Sequence, residues 1–169
     1  YSDYKVEKKG ENYEISVKVT NTGNADGKEV VQVYLQKPYT SYDKEKGIEK
    51  SSVELVGFNK TSTLKANGGS EVVKITVKAE EMRTYDSYGY KTYILEAGDY
   101  YFAVGKSSHD ALNNILAAKG KTTADGMDYN GDKNLAKKEL VAADDFEKYS
   151  KSTATGYNVT NLFDNADIN

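Results

Sequence analysis

The chain has 169 residues, a formal net charge of −3 and no cysteine, and hydrophobic residues make up 38% of it. This length suits one domain with an appendage, and the mixed charges offer no basic face for a nucleic-acid partner. The lack of cysteine removes disulfides and thiolate metal sites, and no apolar run is long enough for a membrane partner. No signal peptide is recognisable, so the compartment, cytoplasmic or secreted, stays open.

The first strongly patterned stretch, "NYEISVKVT" at residues 12–20, alternates apolar and polar residues. This period of two predicts a strand with one buried face. The following "NTGNADGKE" is rich in turn residues, and "VVQVYLQKP" then predicts a second strand that ends at Pro38. Residues 17–40 are therefore interpreted as a hairpin.

The next part, "YTSYDKEKGIEKSS" at residues 39–52, is predicted to be an exposed loop because it is too rich in charge to be buried. Further strands are predicted in "VELVGFNKTSTL", "NGGSEVVKITVKA", "YDSYGYKTYIL" and residues 99–105, with a helical turn at "AEEM". Seven or so short strands at regular spacing predict an all-β sandwich of the fibronectin type III or immunoglobulin-like kind.

Beyond Gly105 the pattern changes to a helical one. "SSHDALNNILAAKG" has apolar residues at helical spacing, a serine N-cap and Gly120 as a C-cap. "LAKKELVAADDFEKYS" at residues 135–150 predicts a second helix, and "TGYNVTNLFDNADIN" at 155–169 predicts a linker. We therefore expect a sandwich over residues 1–108 and a helical and loop extension with a linker toward another domain over 109–169.

One stretch has the spacing of a calcium loop, "DYNGDKNLAKKE" at residues 128–139. The side chains at the oxygen-ligand positions are Asp128, Asn130, Asp132, Asn134 and Glu139. Lys133 occupies the position where such loops need glycine, and the glycine lies two residues early. A solvated loop that caps a following element is the preferred reading, and whether these residues bind calcium stays open.

No catalytic residue, cofactor site or metal site is assigned. The one histidine, His109, lies beside Asp110 and two serines at the start of the predicted helix, where capping explains them better than a triad. Glycoside cleavage needs two facing carboxyl groups, and we expect the acids to be solvated rather than embedded in apolar surroundings.

The tyrosines at residues 39–43 and 84–93 offer two readings. They either cover strand faces and neighbouring domains, which we prefer, or form a platform for an oligosaccharide. A sugar platform usually includes tryptophan, and the chain has none. Asn59 and Asn158 begin N-glycosylation patterns, which matter only in a secretory route that glycosylates.

Several blocks in order resemble the fibronectin type III-like domain of family 3 glycoside hydrolases, the β-glucosidase family. They are "VKVTNTGNADGKEVVQVYLQKPYT", "SSVELVGFNKTSTLKANGGSEVVKITVKAEEM", "RTYD" and "EAGDYYFAVGKSSHD", and they cover residues 4–110 or so. The stretch "KPYTSYDKEKGIEKSSVELVGF" and the later "HDALNNILAAKGKTTADGMDYNGD" resemble a bacterial subgroup in which the sandwich lies mid-chain.

This resemblance implies an accessory role in a larger enzyme of carbohydrate metabolism. Its partners would be an α/β domain and a catalytic (β/α)8 barrel of the same parent chain. In the family an aspartate on the barrel is the nucleophile of a retaining reaction, and a glutamate usually on the α/β domain is the acid/base. No stretch here matches the nucleophile motif, so the resemblance implies a non-catalytic scaffold, with residues 39–52 as the loop that would reach toward the parent's active site.

Overall fold

The computed structural model describes residues 1–160, which form nine strands and two α-helices. These are β1 (Ser2–Lys9), β2 (Asn12–Thr20), β3 (Val30–Gln36), α1 (Ser41–Lys46), β4 (Glu54–Lys60), β5 (Ser70–Lys78), β6 (Thr84–Asp86), β7 (Thr92–Ile94), β8 (Gly98–Gly105), α2 (Ser108–Ala118) and β9 (Ala136–Val141). The expected all-β sandwich class is confirmed. No helix in this range has the length and apolar character needed to span a membrane.

The strands form two main sheets, and these correct the predicted hairpin. One sheet has the order β1-β2-β5 and the other β4-β3-β8-β9, so β2 and β3 do not pair with each other. The segment between them is tied to a distant loop instead, with hydrogen bonds from Asn21 N to Gly69 O and from Gly27 N to Leu64 O. Two strands that face each other across a core show the same alternation as two paired strands, which is why the sequence pattern misled.

The core lies between the inner faces of these sheets. On β2 the side chains of Tyr13, Ile15, Val17 and Val19 are at most 4% exposed, as the alternation predicts. Their counterparts are Val73, Ile75 and Val77 on β5, Val31, Val33 and Leu35 on β3, and Phe102 and Val104 on β8. The rings of Tyr13 and Phe102 are 4.8 Å apart and join the two sheets.

Helix α2 covers the outer face of the second sheet. Ser107 caps it by accepting a hydrogen bond from Asp110 N, as predicted, and Gly120 follows with a φ of 79°. Ala111 and Ile115 pack on Tyr34, Tyr101 and Ala103. Because the helix covers one face and the core the other, residues 101–105 of β8 are all buried and their alternation disappears.

The predicted helix over residues 135–150 is wrong. Residues Ala136–Val141 form β9, which pairs with β8 at the edge of the sheet. Farther along, the Asp145 carboxylate accepts hydrogen bonds from Glu147 N and Lys148 N, which closes a local turn. Such turns compete with helical hydrogen bonding, and the open sheet edge offers the backbone an alternative set of partners.

By its contacts the chain divides into two compact units. The first consists of Tyr1–Gln36, Ser51–Glu81 and Tyr101–Glu139 and contains most of both sheets and α2. The second consists of Lys37–Lys50, Met82–Tyr100 and the chain from Leu140, and it contains α1 and the β6–β7 hairpin. Of the predicted linker, residues 161–169 lie outside the described residues.

Candidate functional site

The loop of residues 39–52 is the first candidate, and it is exposed over much of its length but contains two buried residues. Thr40 caps α1 by accepting a hydrogen bond from Asp43 N, and the Asp43 carboxylate accepts one from Thr40 N at 2.7 Å. Asp43 is fully buried and Ile48 is 4% exposed. The stretch therefore folds into a short helix, and the side chains of Asp43 and Ile48 are buried.

A buried ion-pair cluster fixes this turn. Lys50 Nζ donates to Asp43 Oδ2 at 2.7 Å, to Pro38 O at 2.9 Å and to the Glu96 carboxylate. Thr40 Oγ1 donates to Glu96 Oε1 at 2.7 Å. The side chains of Lys50, Asp43 and Glu96 are at most 4% exposed. We call Asp43, Lys50 and Glu96 the lysine cluster.

The lysine cluster is a structural arrangement rather than an acid/base pair. A general acid or base must reach a proton on the substrate, whereas Asp43 and Glu96 are buried and both bind the same ammonium group. Their burial contradicts the expectation that the acids are solvated. Glu96 and Lys50 lie 46 positions apart, so no local pattern in the sequence identifies the pair.

A second fixed turn is built around Asp86, at the end of β6. Its carboxylate is buried and accepts hydrogen bonds from the backbone N–H groups of Tyr88, Gly89 and Tyr90. The Tyr42 hydroxyl donates to the same carboxylate at 2.5 Å. Burial acts to raise the pKa of Asp86, but these hydrogen bonds outweigh it and hold the pKa below its usual value.

We predict that Asp86→Asn lowers the free energy of unfolding by about 1–3 kcal/mol near neutral pH, because an amide cannot accept all of these hydrogen bonds. The lowered pKa means that Asp86 stabilises the fold above the carboxyl's unfolded pKa of about 3.9, and that this contribution is lost as the pH falls through the folded value. Denaturant unfolding of both proteins at a series of pH values checks this.

The difference between wild type and Asp86→Asn should shrink as the solution is acidified. Asp3→Asn is the control, since Asp3 is exposed, and it should change little at any pH. A difference between wild type and Asp86→Asn that stays constant down to acid pH would contradict the assigned role of the ionised carboxylate.

Four tyrosines of the two predicted groups have aromatic neighbours, whereas Tyr39 and Tyr88 are 53% and 70% exposed. Tyr90 stacks on Phe146 with ring centroids 4.4 Å apart, and Tyr42 lies 6.1 Å from the same ring. Tyr85 and Tyr93 meet edge to face at 75°. Rings inclined and engaged in this way do not form the single exposed plane that a pyranose ring stacks on.

The candidate calcium ligands make hydrogen bonds within the protein. Asp128 pairs with His109 Nε2 at 2.7 Å and accepts a hydrogen bond from Asn113 Nδ2 at 3.0 Å, and both contacts lower its pKa. Asn130 Oδ1 accepts from Thr123 N, and Asp132 accepts from Asn134 N to cap a short 3₁₀ turn.

Glu139, the twelfth position of the pattern, lies on β9. Within residues 1–160 no group of three or more acidic or histidine side chains is arranged to hold a metal ion. The Asp132 contacts match the capping reading of this stretch.

The remaining motifs also have structural roles. Ser107 and Asp110 cap α2, and His109 is 60% exposed and contacts Asp128 and Tyr129 rather than a serine. The Asn59 amide donates to Lys74 O at 3.1 Å. Asn158 lies in an isolated bridge with Lys151.

Comparison with known proteins defines the class. Residues 29–108 match the family model of the fibronectin type III-like domain. The solved structure of β-glucosidase 3B from Thermotoga neapolitana in complex with α-D-glucose superposes on 87% of this chain and 16% of its own, with a TM-score of 0.62 and 26% identity. Residues 29–108 are thus similar to the fibronectin type III-like domain, and the fold is a sandwich.

The curated relatives of the chain indicate the kind of protein in which such a domain occurs. β-Glucosidase A of Butyrivibrio fibrisolvens is 38% identical over 98 residues, which are 56% of this chain and 11% of that protein. β-Glucosidase of Ruminococcus albus is 36% identical over 101 residues, 57% of this chain and 10% of that protein. The domain is therefore of the kind found in family 3 β-glucosidases, and the chain spans about a tenth of the curated relatives it matches.

Proposed function

We propose that this chain is a non-catalytic accessory domain of a glycoside hydrolase that cleaves β-glucosides. The observation that carries the proposal is the size of the match, since the relatives are β-glucosidases of which this domain makes up 11% or less in the two cases above. Most of each relative therefore lies outside the matched part.

The side chains support the non-catalytic part of the proposal. Asp43 and Glu96, the carboxylates brought together in the lysine cluster, are buried and both bind the Lys50 ammonium group. Asp86 is buried under backbone N–H groups. Carboxyl groups so engaged stabilise turns, and they lack the access to substrate that acid/base or nucleophilic catalysis needs.

The partners in this proposal are the α/β domain and the (β/α)8 barrel of the parent chain, with the sandwich placed between them. The accessory domain contributes by packing on these domains and fixing their relative placement. Interfaces between domains of one chain are ordinary packing surfaces, so this role needs no bound ligand or cofactor.

A segment exchange tests the proposal. Residues 1–160 of this chain replace the segment of Butyrivibrio β-glucosidase A that contains the 98-residue match, and a second version has that segment replaced by a glycine–serine linker. We expect the exchanged enzyme to be soluble and to hydrolyse an aryl β-glucoside, and the linker version to lose activity.

Two results would overturn the proposal. One is an exchanged enzyme that is soluble but as inactive as the linker version. The other is hydrolysis of the aryl β-glucoside by the isolated 169-residue chain, which would show that it has a catalytic site of its own.

A further inference from the structure

Strand β4 carries an exposed apolar patch on the first compact unit. Phe58 is 69% exposed, Leu55 is 53% exposed, and Val30 on the neighbouring β3 is 36% exposed. We call these three residues the β4 patch. Large apolar side chains that are adjacent and exposed mark interaction surfaces more often than isolated ones do.

A β-bulge places Phe58 and Leu55 on the same face. In a regular strand, residues three positions apart point to opposite faces. Here the register shifts opposite Val33 and Tyr34, so that Gly57 pairs with Val33 and Leu55 pairs with Tyr34. Gly57 faces the core, where an added Cβ would lie 2.8 Å from Ile75, and the bulge returns Leu55 to the outer face that Phe58 occupies.

The β4 patch continues a surface that the chain already covers in part. Leu55 is the register partner of Tyr34, which α2 buries together with Tyr101 and Ala103. Val53, directly before β4, also packs on this cluster, whereas Leu55 and Phe58 farther along the strand are exposed. The exposed patch is therefore the uncovered edge of an apolar outer face.

The opposite sheet has a different outer face. Glu14 pairs with Lys9 at 2.8 Å and with Lys74 at 3.6 Å, and Val72 is the exposed large apolar residue there. Charged residues are depleted in the centres of protein interfaces. The β4 side has a charged residue too, since Lys60 is exposed and pairs with Val30, but it presents three exposed apolar residues where the other sheet presents one. This difference favours the β4 side as the packing surface and the β1-β2-β5 side as the solvent side.

We infer that the β4 patch is the surface through which the sandwich packs on the catalytic portion of its parent chain. The inference rests on the proposed function. The occupant follows from the relatives, in which about nine-tenths of the polypeptide lies outside the matched segment and is joined to it covalently. A tethered neighbour is present at high effective concentration and occupies such a patch before a free partner does.

The test compares Phe58→Ser with Val72→Ser, each in the isolated chain and in the exchanged Butyrivibrio enzyme. Val72 is the matched control because it is 57% exposed on the outer face of the other sheet. We expect Phe58→Ser to leave the melting temperature of the isolated chain unchanged and to lower that of the exchanged enzyme by several degrees. Val72→Ser should change neither.

The outcomes separate this inference from the proposed function. If the exchanged enzyme is active and Phe58→Ser leaves its melting temperature unchanged, the proposed function stands and the β4 patch is not the contact. A drop with Val72→Ser alone assigns the contact to the other sheet and also overturns the inference. Concentration-dependent dimers of the isolated chain that Phe58→Ser abolishes would identify a second copy as the occupant instead.

Discussion

Replacing Lys50 by methionine should lower the free energy of unfolding by about 3–5 kcal/mol, since removal of one partner leaves buried charges uncompensated. The ammonium group of Lys50 binds both Asp43 and Glu96, whose side chains are 0% and 2% exposed. Without it, two carboxylates remain in the interior beside the backbone carbonyl of Pro38. Denaturant unfolding followed by circular dichroism measures the loss.

Burial, rather than the ion-pair distance, is the cause of this effect. Lys65 and Asp26 are also 2.7 Å apart, but Lys65 is 82% exposed, so Lys65→Met should have no measurable effect on stability. Adding Asp43→Asn and Glu96→Gln to Lys50→Met should recover part of the loss by removing the buried charges. Equal effects of Lys50→Met and Lys65→Met would contradict the role of the lysine cluster.

Truncation of Phe102 to alanine should destabilise the sandwich by about 3–5 kcal/mol, because it removes buried apolar area and leaves a cavity. Phe102 is fully buried on β8 and its ring contacts Tyr13 of the opposite sheet at a centroid distance of 4.8 Å. The change therefore removes a contact that joins the two sheets. Thermal and denaturant unfolding of the isolated chain measure it.

Phe58→Ala is the control for this truncation. It removes the same ring from an exposed position on β4 and should cost the isolated chain little. If both truncations lower the free energy of unfolding equally, the contact between Phe102 and Tyr13 does not stabilise the sandwich.

Much of the fold is predictable from local pattern. The alternation in residues 12–20 and in 70–78 gives β2 and β5, because one face of each strand is buried and the other is not. The serine cap and apolar spacing at 107–120 give α2. Here the local signal and the tertiary environment agree, and such segments can be assigned without knowledge of what they pack on.

The parts that escaped prediction depend on contacts between distant residues. Residues 135–150 contain good helix formers, but β8 offers a sheet edge and β9 pairs with it. Asp43 lies in a charged stretch that looks solvated, and its burial depends on Lys50 and on Glu96, which comes from another part of the chain. Sequence periodicity records which residues are buried, but not which distant residue is the partner.

The β4 patch also depends on the pairing of distant residues, so the local sequence does not predict it. Leu55 and Phe58 lie three positions apart in a strand, which predicts opposite faces, and a bulge places them together. The glycine inside "ELVGFNK" is a signal for a bulge, but the sequence does not show at which residues of β3 the register shifts. The resemblance to known domains indicates an accessory role, whereas the surface proposed for that role depends on how β3 and β4 pair.

Whether this chain contributes packing or a sugar site is tested most directly by titrating it with glucose and cello-oligosaccharides while its amide NMR spectrum is followed. The stacked arrangement of Tyr42, Tyr90 and Phe146 predicts a spectrum that does not move at millimolar sugar. Saturable shifts that map to Tyr39, Tyr42 or the segment 85–93 would contradict the accessory role and make the chain a carbohydrate-binding module.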